Sequence, residues 1–343
     1  MTTTAEPVPS GEAPTPDASA AAVDPPPLAV TDAVARALAE DLLPLGDLTA
    51  SLVPAAAHAL VRIVSRAHGV LAGRACAAET FRQVDPGLAV TWYAADGWRL
   101  APGSVVAQVD GPLRSILSAE RTALNFLGHL SGVASLTRSY VDAVAEANPA
   151  TRVLDTRKTL PGLRALQKAA VRAGGGFNHR GSLSEAVLVK DNHLGGVSIA
   201  DAVARAREAW PGRMVEVECD RVDQVEEAVV AGATVVMLDN MPLDVVAQSV
   251  RLVRSSGTAA LVEISGGVDL VTAPLFAAAG ADLISVGRLT HSAPVLDLGF
   301  DLVAPGSTGS GSTGSGATGS GSTGSGSTGS GATGSGATGS GAT

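Results

Sequence analysis

"TVVMLDN" occupies residues 234–240. Four apolar side chains, two of them β-branched, are followed by a carboxylate and an amide. A short run that stays apolar until its end reads as a strand covered on both faces. Five more runs share the form: "RVLDTRK" (152–158), "AVLVKDN" (186–192), "MVEVECD" (214–220), "ALVEISGG" (260–267) and "DLISVG" (282–287). Most stretches between them, such as "VDQVEEAVVAGA" (222–233) and "DVVAQSVRLVRSSG" (244–257), have a helical period. Strands alternating with helices predict a parallel sheet with right-handed crossovers.

The ends of the runs carry the chemistry. They are Arg157 and Lys158, Lys190 and Asp191, Glu218 and Asp220, Asp239 and Asn240, Ser265-Gly266-Gly267, and Gly287. In β/α barrels the reactive groups stand at the C-terminal ends of several strands. An open doubly wound sheet gathers its ligands mainly in one crevice. Polar chemistry after all six runs therefore predicts closure into a barrel. About 136 residues are too few for the usual eight units, which take roughly 250, so a barrel with fewer units and an open side is expected.

Upstream the texture is mixed. Residues 31–43 have helical periodicity behind Thr31 or Asp32 as a cap. "VRIVSRAHGVLAG" (61–73), "LAVTWYAA" (88–95) and "VVAQVDGPLR" (105–114) alternate like strands, and "GRACAAETFRQV" (73–84) reads as a helix. A long helical pattern follows Ser115, and a break at Gly128 or Gly132 is expected. The pattern is that of an α+β region followed by helices.

The chain has 343 residues and a formal net charge of −9, which argues against a nucleic-acid partner. No apolar run reaches membrane-spanning length. No Lys or Arg precedes Arg36, so the charged start of a signal or transit peptide is missing. Cys76 and Cys219 lie far apart and read as reduced thiols of a cytoplasmic protein. Residues 1–27 are rich in Pro, Ala, Ser and Thr, and residues 305–343 repeat GSTGS or GATGS; both are expected to be disordered tails.

Lysine usage points to the site. Only three of the 24 basic side chains are lysines, Lys158, Lys168 and Lys190. Lys168 and Arg172 lie on a helical pattern and read as solvated charges. Lys158 and Lys190 end buried strands, where an ammonium needs a counter-ion or a ligand. Between them "GGGFNHRGSL" (174–183) sets His179 and Arg180 on glycine-rich backbone that suits neither regular helix nor strand. The result is a cationic bowl in an acidic protein, which implies a small anionic substrate. "SGG" (265–267) and "SVG" (285–287) bring backbone N–H groups to the last two strand ends, where barrels often hold a phosphate. Glu218 and Asp239 are either counter-ions to the cations, holders of Mg²⁺ on a diphosphate, or stabilisers of a developing positive charge. Alternation turns Cys219 away from Glu218. No zinc spacing, Ser-His-Asp set or Walker loop is present.

"ERTALNFLGHLSG" (120–132), "DTRKTLPGLRALQK" (155–168), "GGGFNHRGSL", "VKDNH" (189–193), "VEVECD" (215–220), "LDNM" (238–241), "EISGG" (263–267) and "ISVGRLTHS" (284–292) resemble, in this order, the quinolinate phosphoribosyltransferase family. The resemblance covers about residues 28–304. It implies an N-terminal α/β sandwich domain (28–130, with 289–304 packing back on it) and a truncated parallel α/β barrel (131–288). It implies homodimers or higher homo-oligomers with a shared active site. The implied reaction joins quinolinate to phosphoribosyl pyrophosphate with Mg²⁺, releasing pyrophosphate and CO₂, and needs no organic cofactor. By the same resemblance Arg157, His179, Arg180 and Lys190 hold quinolinate, Thr156 is a further substrate-binding residue, and Arg121 is donated across the dimer interface. Lys158 meets phosphate or pyrophosphate. Lys190, Glu218 and Asp239 form the catalytic set, the two carboxylates also meeting Mg²⁺ directly, through water or through the diphosphate. Ser265, Gly266, Gly267, Gly287 and Arg288 cradle the 5′-phosphate. Gln167, Phe177, Gly181 and Arg288 depart from the family pattern. Two alternatives stand beside this one: a related phosphoribosyltransferase for another pyridine or azole acid, and a non-enzymatic scaffold with a vestigial site.

Overall fold

The computed structural model describes residues 24–303. The readings for residues 1–23 and 304–343, the Gly-Ser-Thr repeat included, lie outside the described residues. The first elements are α1 (Pro27–Leu42), β1 (His58–Ser65), β2 (Gly69–Val70), α2 (Arg74–Val84), β3 (Ala89–Trp92), β4 (Arg99–Leu100), β5 (Val105–Pro112) and α3 (Leu113–Ala147). Then come β6 (Arg152–Leu154), α4 (Arg164–Ala173), β7 (Val187–Val189), α5 (Asp191–Leu194), α6 (Ile199–Ala209), β8 (Val215–Cys219) and α7 (Val222–Ala231). The last are β9 (Val235–Asp239), α8 (Leu243–Ser255), β10 (Leu261–Ser265), α9 (Thr272–Ala278), β11 (Leu283–Ser285), α10 (Arg288–His291) and β12 (Leu298–Leu302).

Two expectations change here. Helix α1 begins at Pro27, ahead of Thr31, because proline's fixed φ and missing N–H suit a first turn. Helix α3 runs 35 residues without a break. A Cβ on Gly132 would collide with the Pro294 carbonyl oxygen, and one on Gly128 would come within 2.8 Å of Val295 Cγ1. These glycines admit the returning chain rather than bend the helix. Leu296 N–H donates to Gly128 O at 3.0 Å, and β12 then pairs antiparallel with β1.

Strands β12-β1-β5-β3 form one sheet, and its apolar core joins Val61, Ile63 and Val106 to Phe81 of α2 and to Ile116 and Leu127 of α3. The six runs read from the sequence are all parallel strands of a second sheet, in the order β6-β11-β10-β9-β8-β7. The pairing of β6 with β11 brings the first strand round to the last, and the open side lies between β6 and β7. Val217, Leu238, Val262 and Ile264 bury their outer face under helices such as α7 and α8. The protein thus couples a sheet-and-helix sandwich to an incomplete parallel α/β barrel.

The glycine-rich run partly fills the open side. Phe177 N–H donates to Val153 O at 2.8 Å, and Asp155 N–H donates to Phe177 O at 3.1 Å. This is a one-residue parallel bridge on the free edge of β6, where regular structure was not expected. The Phe177 ring is exposed and lies under the Arg152 guanidinium, 5.6 Å from its carbon. Among the described residues no helix is long and apolar enough to cross a membrane.

Candidate active site

Alternation along the strands decides which side chains enter the barrel. Val217 and Cys219 of β8 face the helices, so Glu216 and Glu218 face inward. Asp239 of β9 and Ser265 of β10 are register partners at the same rim. The rim encloses a cleft of about 580 Å³ lined by Thr156, Arg157, Lys158, His179, Arg180, Lys190, Glu218, Asp239, Ser265, Gly266 and Gly267, with Leu188, Met237, Asn240 and Ser285. A smaller cleft of about 250 Å³ shares Thr156, Lys158, Ser265, Gly266, Gly267 and Ser285 with it and adds Gly287, Arg288 and His291. Every site residue expected from the sequence lies on one of these clefts except Arg121, which is exposed on α3.

The turn at Gly266-Gly267 has φ of +86° and +59°, and a Cβ on Gly266 would overlap the Asn240 side chain. Asn240 itself has a positive φ of 54°; its N–H donates to Ser265 O at 3.0 Å and its side-chain amide to Asp239 Oδ2 at 2.8 Å. Lys190 is ion-paired with Glu218. Arg157 Nε is buried without an acceptor. Burial and the Arg157 charge both lower the Arg180 pKa.

Below the rim lies a cluster that the sequence reading passed over. Glu216 and Glu263 are fully buried, and His179 Nε2 lies 3.0 Å from Glu216 Oε2 and 3.5 Å from Glu263 Oε1, off the hydrogen-bond line. The Arg180 N–H donates to His179 Nδ1 at 2.8 Å, so the ring proton sits on Nε2. The three residues form a buried acid–base cluster whose nearest nitrogen and oxygen atoms all lie within 4.8 Å of one another. Burial lowers the His179 pKa, but Glu216 and Glu263 outweigh it and leave it raised. Burial first, then the Glu216 charge, push Glu263 from 4.5 up to about 8, while Ser285 Oγ donates to its Oε1 at 2.5 Å. The signal was present: in "VEVEC" Glu216 shares the inward face with Glu218.

The raised acid makes stability pH-dependent. Between pH 4.5 and about 8 the unfolded chain releases the Glu263 proton while the folded chain keeps it. The contribution of Glu263 to stability is therefore fully present below pH 4.5 and is lost as pH rises from there to about 8, with a slope of up to about 1.4 kcal/mol per pH unit. Glu263→Gln keeps the shape with a permanent N–H. It should be more stable than the parent at pH 8 and little different at pH 5 in denaturant titrations. Parallel pH curves for parent and variant would show that Glu263 is ionised in the folded state.

Lys168 is the clear correction. It is not solvated: only 7% of it is exposed, it is ion-paired with buried Asp155, and its Nζ donates to His179 O at 2.7 Å. Helix α4 is wedged between α3 and the 178–181 loop, so its apparent polar face is interior. Arg172, expected to be solvated too, donates to the Asn178 side chain at 2.5 Å. Gln167 is also buried, its amide donating to Thr290 O at 2.6 Å and its oxygen accepting from Leu160 N–H at 3.0 Å. Gly181 N–H donates to Glu185 Oε2 at 2.6 Å. Cys76 and Cys219 are free and buried, and burial pushes both thiols up to about 12.

Comparison with known proteins gives one answer. The C-terminal domain of quinolinate phosphoribosyl transferase matches residues 133–301, and the N-terminal domain of the same family matches residues 47–131. A carboxylating nicotinate-nucleotide pyrophosphorylase of Mycobacterium leprae is 41% identical over 278 residues, covering 80% of this chain and 97% of that protein. The Homo sapiens protein of the same name is 37% identical over 259 residues, covering 74% and 86%. The solved nicotinate-nucleotide pyrophosphorylase of Francisella tularensis superposes with a TM-score of 0.77 at 37% identity, covering 82% of this chain and 98% of that one. With both domain matches contiguous, and relatives matched over most of their length, the chain belongs to the quinolinate phosphoribosyltransferase family.

Proposed function

We propose that the protein transfers the phosphoribosyl group of phosphoribosyl pyrophosphate to quinolinate with loss of CO₂. The products are nicotinate mononucleotide and pyrophosphate, a step of NAD biosynthesis. The observation that carries this reading is the pair Arg157 and Arg180. Two neighbouring guanidiniums, one with an unanswered buried donor, suit a flat ligand with two carboxylates. Lys190 adds a third cation. His179 lines the same end of the cleft, its Nδ1 accepting the Arg180 N–H and its Nε2 without a hydrogen-bond partner. Thr156, Lys158, the Ser265-Gly266-Gly267 turn, Gly287 and Arg288 form the phosphate end.

The quinolinate ring nitrogen attacks the ribose carbon as pyrophosphate departs, so positive charge builds on the sugar. Glu218 and Asp239, at adjacent strand ends, face that charge. Both are oxygen donors suited to Mg²⁺, which would neutralise the pyrophosphate. The ribosylated nitrogen is cationic. Its charge stabilises the electron pair left on the neighbouring ring carbon when the 2-carboxylate leaves as CO₂, and that carbon then uses the pair to take a proton.

The same reading makes residues 28–130 and 131–288 two domains and completes the site in a dimer. Arg121 lies on α3 between Ser118 and Thr122, the two residues that hold a leucine-rich segment. Leu43, Leu45, Leu48 and Leu52 are 64–83% exposed. Their segment is tied to α3 by Ser118 Oγ donating to Asp47 Oδ2 at 3.1 Å and Thr122 Oγ1 donating to Asp41 Oδ2 at 2.9 Å. An apolar surface of this kind suits a second copy of the chain.

The test is mass analysis of nicotinate mononucleotide formed from quinolinate and phosphoribosyl pyrophosphate, with nicotinate as the monoacid control. Turnover of nicotinate in preference to quinolinate would overturn the reading. Arg157→Lys keeps the charge but loses the bidentate fork. It should lower kcat/KM for quinolinate roughly ten- to hundredfold, the worth of one charge-assisted bond of about 1.5–3 kcal/mol. Wild-type kinetics in that variant would remove Arg157 from the carboxylate site.

A further inference from the structure

Asp155 and Lys168 line neither part of the substrate cleft, yet they tie both of its cationic segments together. Asp155 is fully buried and is followed directly by Thr156, Arg157 and Lys158. Its Oδ1 accepts the His179 N–H at 2.9 Å as well as the Lys168 ammonium, and its Oδ2 accepts the Asn178 side-chain amide at 2.6 Å. Lys168 Nζ donates to His179 O at 2.7 Å, and Asn178 Nδ2 also donates to Lys168 O at 3.0 Å. The loop is bound through backbone and amide groups, leaving the Arg180 side chain on the cleft.

We infer that the buried Asp155–Lys168 pair positions Arg180 against Arg157, and so sets the geometry of the quinolinate end of the cleft. This rests on the proposed reaction. Three observations carry it. The approach to the loop is Gly174-Gly175-Gly176, backbone too pliable to fix a side chain by itself. A buried ion pair contributes little net stability compared with apolar packing, so specific geometry is the better account of its presence. A second tie runs the same way: Arg164 donates to Gly181 O at 3.1 Å and to Arg157 O at 3.4 Å, again joining the two segments. Burial pushes Asp155 up and Lys168 down in pKa, each held in check by the other, so neither charge stands alone.

The experiment compares steady-state kinetics of the full chain with Lys168→Met and Asn178→Ala. Lys168→Met removes the ammonium that grips His179 O. Asn178→Ala removes one exposed arm and leaves no buried charge unpaired, so it keeps the fold if Lys168→Met does not. KM for quinolinate should rise about tenfold in Lys168→Met, which loses the ammonium, and severalfold in Asn178→Ala, which loses one amide donor to the Asp155 carboxylate. KM for phosphoribosyl pyrophosphate should stay within about twofold in both, a split that general destabilisation would not produce. Folded variants with a wild-type quinolinate KM, or with both KM values raised alike, would overturn the inference while leaving the reaction intact. A parent protein inert toward quinolinate would sink the reaction and the inference together.

Discussion

Mixing Arg121→Ala chains with Lys190→Ala chains, each inactive alone, should restore about a quarter of wild-type activity. Lys190 lies in the cleft of its own chain, whereas Arg121 is exposed on α3 and lines neither cleft. If Arg121 serves the neighbouring subunit, a mixed dimer holds one site with both residues intact and one with neither. Random exchange at equal amounts makes half the dimers mixed, and half of their sites are good. Higher assemblies of the same pairs obey the same count. Exchange would be verified by mass before assay. Verified exchange with no regained activity would return Arg121 to its own chain or to a structural role.

That test is needed because Arg121 is where sequence logic and single-chain geometry both stop. The barrel was legible because its strands advertise themselves: apolar runs with polar ends, of which β7 to β11 pair in sequence order and β6 pairs with β11. The rim was legible for the same reason, since the last residue of a buried strand has only the barrel mouth to face. What sits deeper was not. Glu216 and Glu263 look like ordinary strand interruptions until the inward face of the sheet is drawn, and only then does His179 appear between them. Lys168 failed for a different reason. Helical period identifies one face as apolar, but α4 is covered on more than one side, and its polar residues Gln167 and Lys168 are interior. The scarcity of lysine in this chain was the better guide. Gly128 and Gly132 were noticed for the right positions and the wrong cause, because a glycine that breaks a helix and one that admits a crossing chain look alike in one dimension.

Glu218→Gln and Asp239→Asn should each lower kcat on the order of a hundredfold with little change in KM for quinolinate. Without substrate Glu218 is the partner of Lys190. A dianion entering beside Lys190 competes with that carboxylate, so Glu218 works against ground-state binding. It gains a favourable partner only when positive charge develops on the sugar. Removing its charge should therefore leave quinolinate binding unchanged or tighter while the barrier rises, because only interactions stronger in the transition state accelerate the step. Asp239 reaches the same position from the next strand, its Oδ2 oriented by the Asn240 amide at 2.8 Å. Asp239→Asn keeps the shape and loses the charge, so it isolates electrostatics from packing. Single-turnover measurement of both variants, with quinolinate affinity taken separately, reads the two effects apart. A wild-type kcat with weakened quinolinate binding would reverse the assignment: the carboxylates would then be counter-ions that hold Lys190 in place, and the charge on the sugar would have to be met by other groups at the rim.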